Sequence, residues 1–454
     1  MTDFTWTAKL VTEALGLPPA AWDHAYRGLS TDTRTMQDGQ LFIALKGEHF
    51  DAHDFLGDAR LAGVGGVVVR KGTPRWPGFD WFEVEDTLIA LGKLARLRRD
   101  RFTGPVVAIT GSNGKTSTKE LTAAALSPRY TVHRSAKNLN NLVGVPQTVL
   151  AAPVEATAMV VECGASVKGE LGRQREIVHP DVGVVTLVGA AHLEGFGSQE
   201  AVLSEKVSLL EGAANAVVGT SPPALPEAAR RTARKVVTAS IEGPSDWIAE
   251  RVTMLPDGRA RFAVRGVDVE LPLAGRHMVG NALIALAVAD LLGVPLTDAA
   301  GALGAARIPG GRSEVFEADG CLVIDDSYNA NPTSLRAALD LLTTLRGPRR
   351  AVVVVGTMRE LGAESPALHR DGARAVLEAG PAVVAAVGDF APAFAELGPG
   401  GAEVVSGASP ADVAEALRQR IRPGDIVLLK ASRGVALEQL IPVLWPSHTS
   451  TEAH

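Results

Sequence analysis

Short apolar runs recur along the chain, separated by longer stretches whose apolar residues fall three and four positions apart. Short buried strands alternating with helices of this kind specify an α/β protein with mainly parallel sheets. The first hundred residues carry the runs "GQLFIAL" and "VGGVVVR" around a helical "AHDFLGDARLAGV", a small α/β unit. After the break "RFTGP" come "VVAIT", "AMVVECG" and "DVGVVTLVG", each followed by a polar loop and a helical pattern. Between about Lys235 and Leu273 the pattern changes to β-hairpin character with "PDGR" as a turn, followed by the helix "GNALIALAVADLLG". Beyond "ARIPGGR" the runs "CLVIDD", "RRAVVVVG", "AVVAAVG" and "DIVLLK" again alternate with helices, a second open αβ sheet. The expected architecture is therefore three α/β domains: a small N-terminal one over residues 1–103, a central one with a mainly parallel sheet over 104–308, and a C-terminal Rossmann-like one over 309–454. The polar tail "WPSHTSTEAH" is expected to fray.

Length agrees with this division, since 454 residues exceed one core and suggest about three domains. A 46% hydrophobic content with few aromatics and 47 glycines fits αβ layers joined by tight turns. Two cysteines, Cys163 and Cys321, argue against a disulfide framework or a cysteine zinc site and point to a reducing compartment. The N-terminus lacks the basic start and apolar core of a signal peptide, and no uninterrupted run of about 18 apolar residues could span a bilayer. A cytoplasmic protein without membrane insertion is expected. The net charge is −6, mixed along the chain without a long basic run, which makes nucleic acid a poor partner. An anionic substrate would need local positive charge or bound cations.

The chemistry begins at "ITGSNGKTSTKE", residues Ile109 to Glu120. The widespread phosphate loop spaces its glycines as G-x-x-x-x-G-K-[ST]; here Ile109 stands where its first glycine would be. The loop is closed by Gly111, Ser112, Asn113, Gly114, Lys115 and Thr116, with Ser117 next. It follows a strand and opens a helix, so its amides and the helix dipole favour phosphate, Lys115 can reach the terminal phosphates, and Thr116 can ligate Mg²⁺. Glu162 ends the run "AMVVE", His192 lies in "GAAHLEGFGS", and Lys206 lies in the helical "SQEAVLSEKVSLLEG". Singly, these read as a strand-end acid, a structural histidine and a solvated lysine.

Together they form one arrangement. The chain resembles the ATP-dependent Mur ligases, which add amino acids to the peptidoglycan precursor, and the related folylpolyglutamate synthetases. "TGSNGKTSTKE" resembles the family's phosphate loop, "VVECGAS" its Mg²⁺ glutamate, "AAHLEGFGS" its histidine loop, and the lysine nine residues after Gly197 its carbamylated lysine. "GRHMVGNALIA", with His277 and Asn281, is similar to the adenine-contacting helix start; Arg312 in "IPGGR" and Asp326 in "DDSYNANP" match the C-terminal arginine and aspartate that meet ATP. "STDTRTMQDGQLFIALKGEHFDAHDF" is similar to the domain that holds the uridine diphosphate moiety, with Ser30, Asp32, Thr33, Arg34, Lys46 and Gly47 as implied contacts. Folylpolyglutamate synthetases lack that domain. "DDSYNANPTS", "ELGAESPALHR" and "KASRG" resemble the branch that joins D-alanyl-D-alanine to a UDP-N-acetylmuramoyl-tripeptide; the motif of the branch adding a diamino acid is absent from the sequence.

What the resemblance implies is a P-loop central domain, ATP, two Mg²⁺ ions and a CO₂-derived carbamate on Lys206. One Mg²⁺ sits on Thr116 and Glu162 and the other on His192 and carbamylated Lys206, while Lys115 and Arg312 stabilise the moving phosphoryl group. Asn138, Asn140 and Asn141 face phosphate or substrate, and Asn329 and Asn331 the dipeptide. A monomer is expected. Three positions depart from the family pattern: Lys137 stands where "GNLNN" has glycine, Thr357 turns "GDM.ELG" into "GTMRELG", and Ala431 turns "KGSRG" into "KASRG". The alternatives are another Mur ligase, a folylpolyglutamate-synthetase-like amide ligase, or a non-catalytic nucleotide-dependent switch. The last predicts loss of Glu162, His192 or Lys206, and all three are present.

Overall fold

A computed structural model describes residues 4–47, 49–308 and 310–448. The chain falls into two compact units: residues 1–108 with 130–165 and 169–183, and residues 109–129 with 166–168 and 184 onward. The strands Val106–Thr110 and Val182–Val185 each pass from one unit into the other.

In the first unit, Leu29–Ser30, Leu41–Ile43, Gly66–Arg70 and Asp80–Val84 form a four-stranded parallel sheet in that order. The helix Thr87–Asp100 starts where the Asp86 carboxylate accepts the amides of Leu88 and Ile89. Its residues Ala90, Leu91 and Leu94, spaced to share one face, pack with Trp6, Val11, Leu41, Ile43 and Phe82. Val106–Thr110, Ala158–Glu162 and Val132–Arg134 lie side by side in that order, the last two parallel.

The second unit contains the parallel neighbours Asn215–Gly219, Lys235–Ser240 and Trp247–Ile248. The antiparallel character expected from Lys235 therefore begins only at Glu250–Met254, which pairs with Arg259–Val264 across the "PDGR" turn; Arg259–Val264 in turn pairs with Val267–Ala274. A short β-branched run such as "KVVTAS" reads alike in either setting, so neighbours and not period decide it. The apolar helix His277–Leu291 then packs along the helix Lys115–Leu126 that follows the loop of residues 111–114.

The last sheet runs Glu314–Ala318, Cys321–Asp326, Ile426–Lys430, Ala351–Gly356, Val383–Val387, Glu403–Gly407, with only the first pair antiparallel. Both of its faces are covered. Val353 and Val355 pack with Leu335, Leu339 and Leu342, whereas Val352 and Val354 pack with Val413, Leu417 and Leu440. That alternation identifies a strand buried on both sides. The antiparallel pair closes on Asp319 and Gly320, both at positive φ, the backbone of a two-residue hairpin turn. Its open end brings Ser313 onto Asp326.

The tail corrects one expectation. Trp445 is only 1% exposed in the core of this sheet, and His448 stacks on Phe316 at 4.0 Å, so "WPSH" is anchored. Residues 449–454, also expected to fray, lie outside the described residues.

Candidate functional site

The shortened loop is tied at each step to the segment after Val182–Val185. The amide of Ser112 donates to Leu187 O (2.8 Å), Ser112 Oγ donates to Gly189 O (3.1 Å), and Thr186 Oγ1 donates to Asn113 O (2.5 Å). Gly111 has φ +152 and a Cβ there would lie 1.9 Å from Thr186 Oγ1; Gly114 has φ +79 and a Cβ would lie 2.6 Å from Asn281 Oδ1. Both glycines are thus required by close approach as well as by backbone. Asn281 rests its amide against the phosphate loop from the helix His277–Leu291. Lys115 Nζ donates to Gly111 O at 2.8 Å, folding back over the loop. Thr116 and Ser117 lie buried in the first turn of the helix.

His192 opens the short helix Leu193–Phe196 from a left-handed backbone, φ +55, with Ser166 Oγ 3.5 Å from its Nδ1 and the Glu360 carboxylate also on Nδ1. Lys206, on the helix Gln199–Ser208, is 0% exposed, its Nζ 5.8 Å from the Phe196 ring centroid. The sequence reading of a solvated helix face is therefore excluded for this lysine.

At the open end of the hairpin, Asp326 Oδ1 accepts the Ser313 amide (2.9 Å) and Oδ2 pairs with Lys430 Nζ (2.7 Å). Lys430 is 2% exposed and also donates to Asn329 O at 2.5 Å. The motif "KASRG" alone gives this lysine no role; its strand-end position opposite Asp326 in the register does. The Arg312 guanidinium lies 3.6 Å from the Tyr328 ring centroid, a cation–π contact that fixes its plane. Asn329 is exposed. Asn331 is engaged differently: its Oδ1 accepts Ser334 N (2.9 Å) as the N-cap of the helix Pro332–Arg346, and its amide pairs reciprocally with Asn113 at 3.0 and 2.8 Å.

In the first unit Glu162 is buried, and Asn140 Nδ2 donates to its Oε1 at 2.8 Å. Asn141 Oδ1 accepts the amides of Val143 and Gly144 at the start of the helix Gly144–Leu150, while Asn138 is exposed. A cavity of about 850 Å³ lies beside the four-stranded sheet. Ser30 and Asp32 line it, together with Phe4, Trp6, Tyr26 and Gln147, which sequence reasoning did not single out because they come from separate segments. Thr33, Arg34, Lys46 and Gly47 are not among its lining residues. Arg34 grips Asp32 through two bonds of 2.9 and 2.8 Å and holds that carboxyl down at about 2; Lys46 is 3.8 Å from Asp51.

Each departure has a local account. Lys137 takes the backbone of the glycine it replaces, φ +47. Thr357 Oγ1 accepts the Asp389 amide at 2.9 Å. Ala431 is fully buried against Gly356, where a Cβ would come within 2.9 Å of its own.

The loop after Thr357 depends on a neutral histidine. His369 Nδ1–H donates to Ser365 O (2.8 Å) and Nε2 accepts the Met358 amide (2.9 Å). Burial pushes this imidazole below its ordinary pKa. The unfolded chain thus binds the proton more readily, so its stabilisation is complete above about pH 6.5 and is lost as pH falls below it. Melting temperatures measured from pH 7.5 down to 5.5 should fall less steeply for His369→Gln than for the parent; equal slopes would remove His369 from the pH dependence.

Among the described residues no helix is long and apolar enough to cross a membrane, and no three His, Cys, Asp or Glu side chains cluster as a metal cage. Residues 109–289 match the Mur ligase middle domain, and residues 311–433 the Mur ligase, glutamate ligase domain. The UDP-N-acetylmuramoyl-tripeptide--D-alanyl-D-alanine ligase of Escherichia coli is 36% identical, over 98% of this chain and 99% of that one. Its namesake from Bacillus subtilis is 33% identical, over 93% and 94%. The crystal structure of MurF from Acinetobacter baumannii superimposes with a TM-score of 0.88 at 31% identity, covering 98% of this chain and 99% of that one. MurF ligase from Thermotoga maritima in complex with ADP gives 0.80 at 28% identity, covering 92% and 97%. With relatives at this identity over nearly its full length, the chain belongs to the Mur ligase family.

Proposed function

We propose that this protein joins D-alanyl-D-alanine to a UDP-N-acetylmuramoyl-tripeptide, with conversion of ATP to ADP and phosphate, as a cytoplasmic, monomeric peptide ligase. The observation that carries the reading is the near full-length likeness to ligases of that name, supported by a phosphate loop built as described. In this reading residues 1–103 hold the UDP moiety, 104–308 hold the ATP, and 309–454 close on ATP and bind the dipeptide.

A carboxylate is a poor electrophile, so the tripeptide carboxylate first attacks the γ-phosphorus and ADP leaves. The dipeptide amine then attacks the carbonyl carbon of the acyl phosphate, and the tetrahedral intermediate loses a proton and expels phosphate. The amides of Gly111 to Ser117 hold the phosphates, and Lys115 moves from Gly111 O onto the transferred group. Arg312, held flat on Tyr328, faces the same charge, while Asn281 and Asp326 hold the nucleotide. Ser30, Asp32, Thr33, Arg34, Lys46 and Gly47 serve the uridine diphosphate, with Ser30 and Asp32 on the cavity wall. Asn138 and Asn141 flank the acceptor. Exposed Asn329 reads the dipeptide, with Asn331 fixing the turn that carries it.

Mg²⁺ suits these residues. It binds through one or two carboxylates plus phosphate oxygens and retains water, so the absence of a three-residue cage among the described residues is compatible with it. Thr116 and Glu162, the latter oriented by Asn140, would hold one ion, and His192 with Lys206 the other. When bound, Mg²⁺ screens the repulsion between carboxylate and triphosphate. Lys206 fits a carbamate by its place: it is fully buried, with its Nζ 5.8 Å from the ring of Phe196 in the short helix that follows His192.

In a phosphate-release assay, D-alanyl-D-alanine should be accepted and free D-alanine, L-alanine and D-glutamate rejected, by up to about 10⁴-fold. A single amino acid cannot present the dipeptide's amide and carboxylate together, and so forgoes the hydrogen bonds that Asn329 offers them. Equal turnover with D-glutamate would sink the assignment.

A further inference from the structure

We infer that Glu360 is a positioning residue for His192: its carboxylate takes up His192 Nδ1 and so presents Nε2 to the metal. This deepens the proposed function and rests on its reading of His192 as a ligand. A ligating imidazole commonly gives its second nitrogen to a carboxylate, which fixes ring orientation and tautomer. The unusual feature here is how firmly the chain fixes that carboxylate, and from where.

Glu360 lies in the loop leaving Ala351–Gly356, a strand of the six-stranded sheet remote in sequence from the histidine loop. Almost every neighbour in that loop is pinned. Thr357 O accepts Ser432 N (3.2 Å), Met358 N donates to His369 Nε2 (2.9 Å), and Arg359 N donates to Ser432 Oγ (2.9 Å). Leu361 is buried, and Gly362, at φ +57, would bring a Cβ within 3.2 Å of Glu194 Cα. Within this frame Glu360 adopts a left-handed backbone, φ +64, and its carbonyl accepts the Glu194 amide at 3.2 Å. Such a backbone is unfavourable for a non-glycine residue and persists where the surroundings impose it. The result is a carboxylate delivered to His192 with little freedom to leave.

A simple surface latch would make a different prediction: its loss would change stability and leave metal affinity alone. The test is Mn²⁺ binding, followed by electron paramagnetic resonance, to the full chain with a non-hydrolysable ATP analogue and UDP-tripeptide. His192→Ala defines the Mn²⁺ population that depends on the ligand. Glu360→Gln keeps the shape without the charge; Glu360→Gly suits the φ of +64 and keeps the loop while removing the side chain. Both should weaken that population by about 10–100-fold and raise the Mg²⁺ needed for half-maximal activity by a similar factor, with melting temperature unchanged. Unchanged Mn²⁺ affinity in both Glu360 variants, with loss in His192→Ala, would overturn the role of Glu360 and leave the ligand reading standing. Unchanged affinity in His192→Ala itself would overturn the ligand reading, and this inference with it.

Discussion

Lys206→Ala should be nearly inactive, and a small carboxylate such as acetate or formate should partly restore it. The side chain is completely buried on the helix Gln199–Ser208, so it cannot be a solvated surface lysine. An ammonium close to a cation site would repel the metal, whereas a carbamate offers two hard oxygens of the kind Mg²⁺ prefers. Addition of CO₂ to the neutral amine, with loss of one proton, makes that change. Alanine leaves space where the carbamate would stand, and an added carboxylate can occupy it. Native protein should carry the mass of the added carboxyl group, provided acidification is avoided. Full activity of Lys206→Ala in CO₂-free buffer without added carboxylate would refute the claim.

Lys115→Ala should lower turnover by at least about 10²-fold, the usual loss when a charge-stabilising group aimed at the transition state is removed. In this structure Lys115 Nζ donates to Gly111 O, a hydrogen bond of a kind worth about 1 kcal/mol net, so stability should change far less than turnover. That separation between turnover and melting temperature distinguishes a phosphate ligand from a loop staple. Glu162→Gln should raise the Mg²⁺ requirement as well, since the amide oxygen can still accept from Asn140 but carries no charge. Normal ATP turnover in both variants would mean that the shortened loop does not handle the transferred phosphate.

The strands were legible because most are buried on both faces, which leaves short aliphatic runs such as "VVAIT" and "AVVVVG" between polar turns. Lys235–Ser240 was misplaced because a parallel strand and a hairpin arm share one local pattern, and the choice between them is made by Asn215–Gly219 alongside. Trp445 gave no local sign of its burial, since a lone tryptophan before a polar tail acquires a core only when the six-stranded sheet supplies one. The loop Gly111 to Thr116 could be singled out as a phosphate-loop candidate because its residues are contiguous. The groups that hold it could not: Thr186, Asn281 and Asn331 reach it from three distant segments. Asn331 illustrates the point, because asparagine before proline is equally a substrate donor and a helix cap, and only the fold shows Ser334 N and Asn113 on its amide. The cavity aromatics Phe4, Trp6 and Tyr26, and Glu360 with its pinned loop, are likewise products of tertiary structure.

The acyl phosphate is the central intermediate of the proposed reaction. The direct measurement is a single incubation of the protein with ATP, Mg²⁺, D-alanyl-D-alanine and a UDP-N-acetylmuramoyl-tripeptide carrying ¹⁸O in both oxygens of the carboxylate that becomes the new amide, with products read by mass spectrometry. Attack of that carboxylate on the γ-phosphorus predicts one ¹⁸O in the released phosphate, one in the new amide of the pentapeptide, and none in ADP. Unlabelled phosphate, or label appearing in AMP, would contradict it.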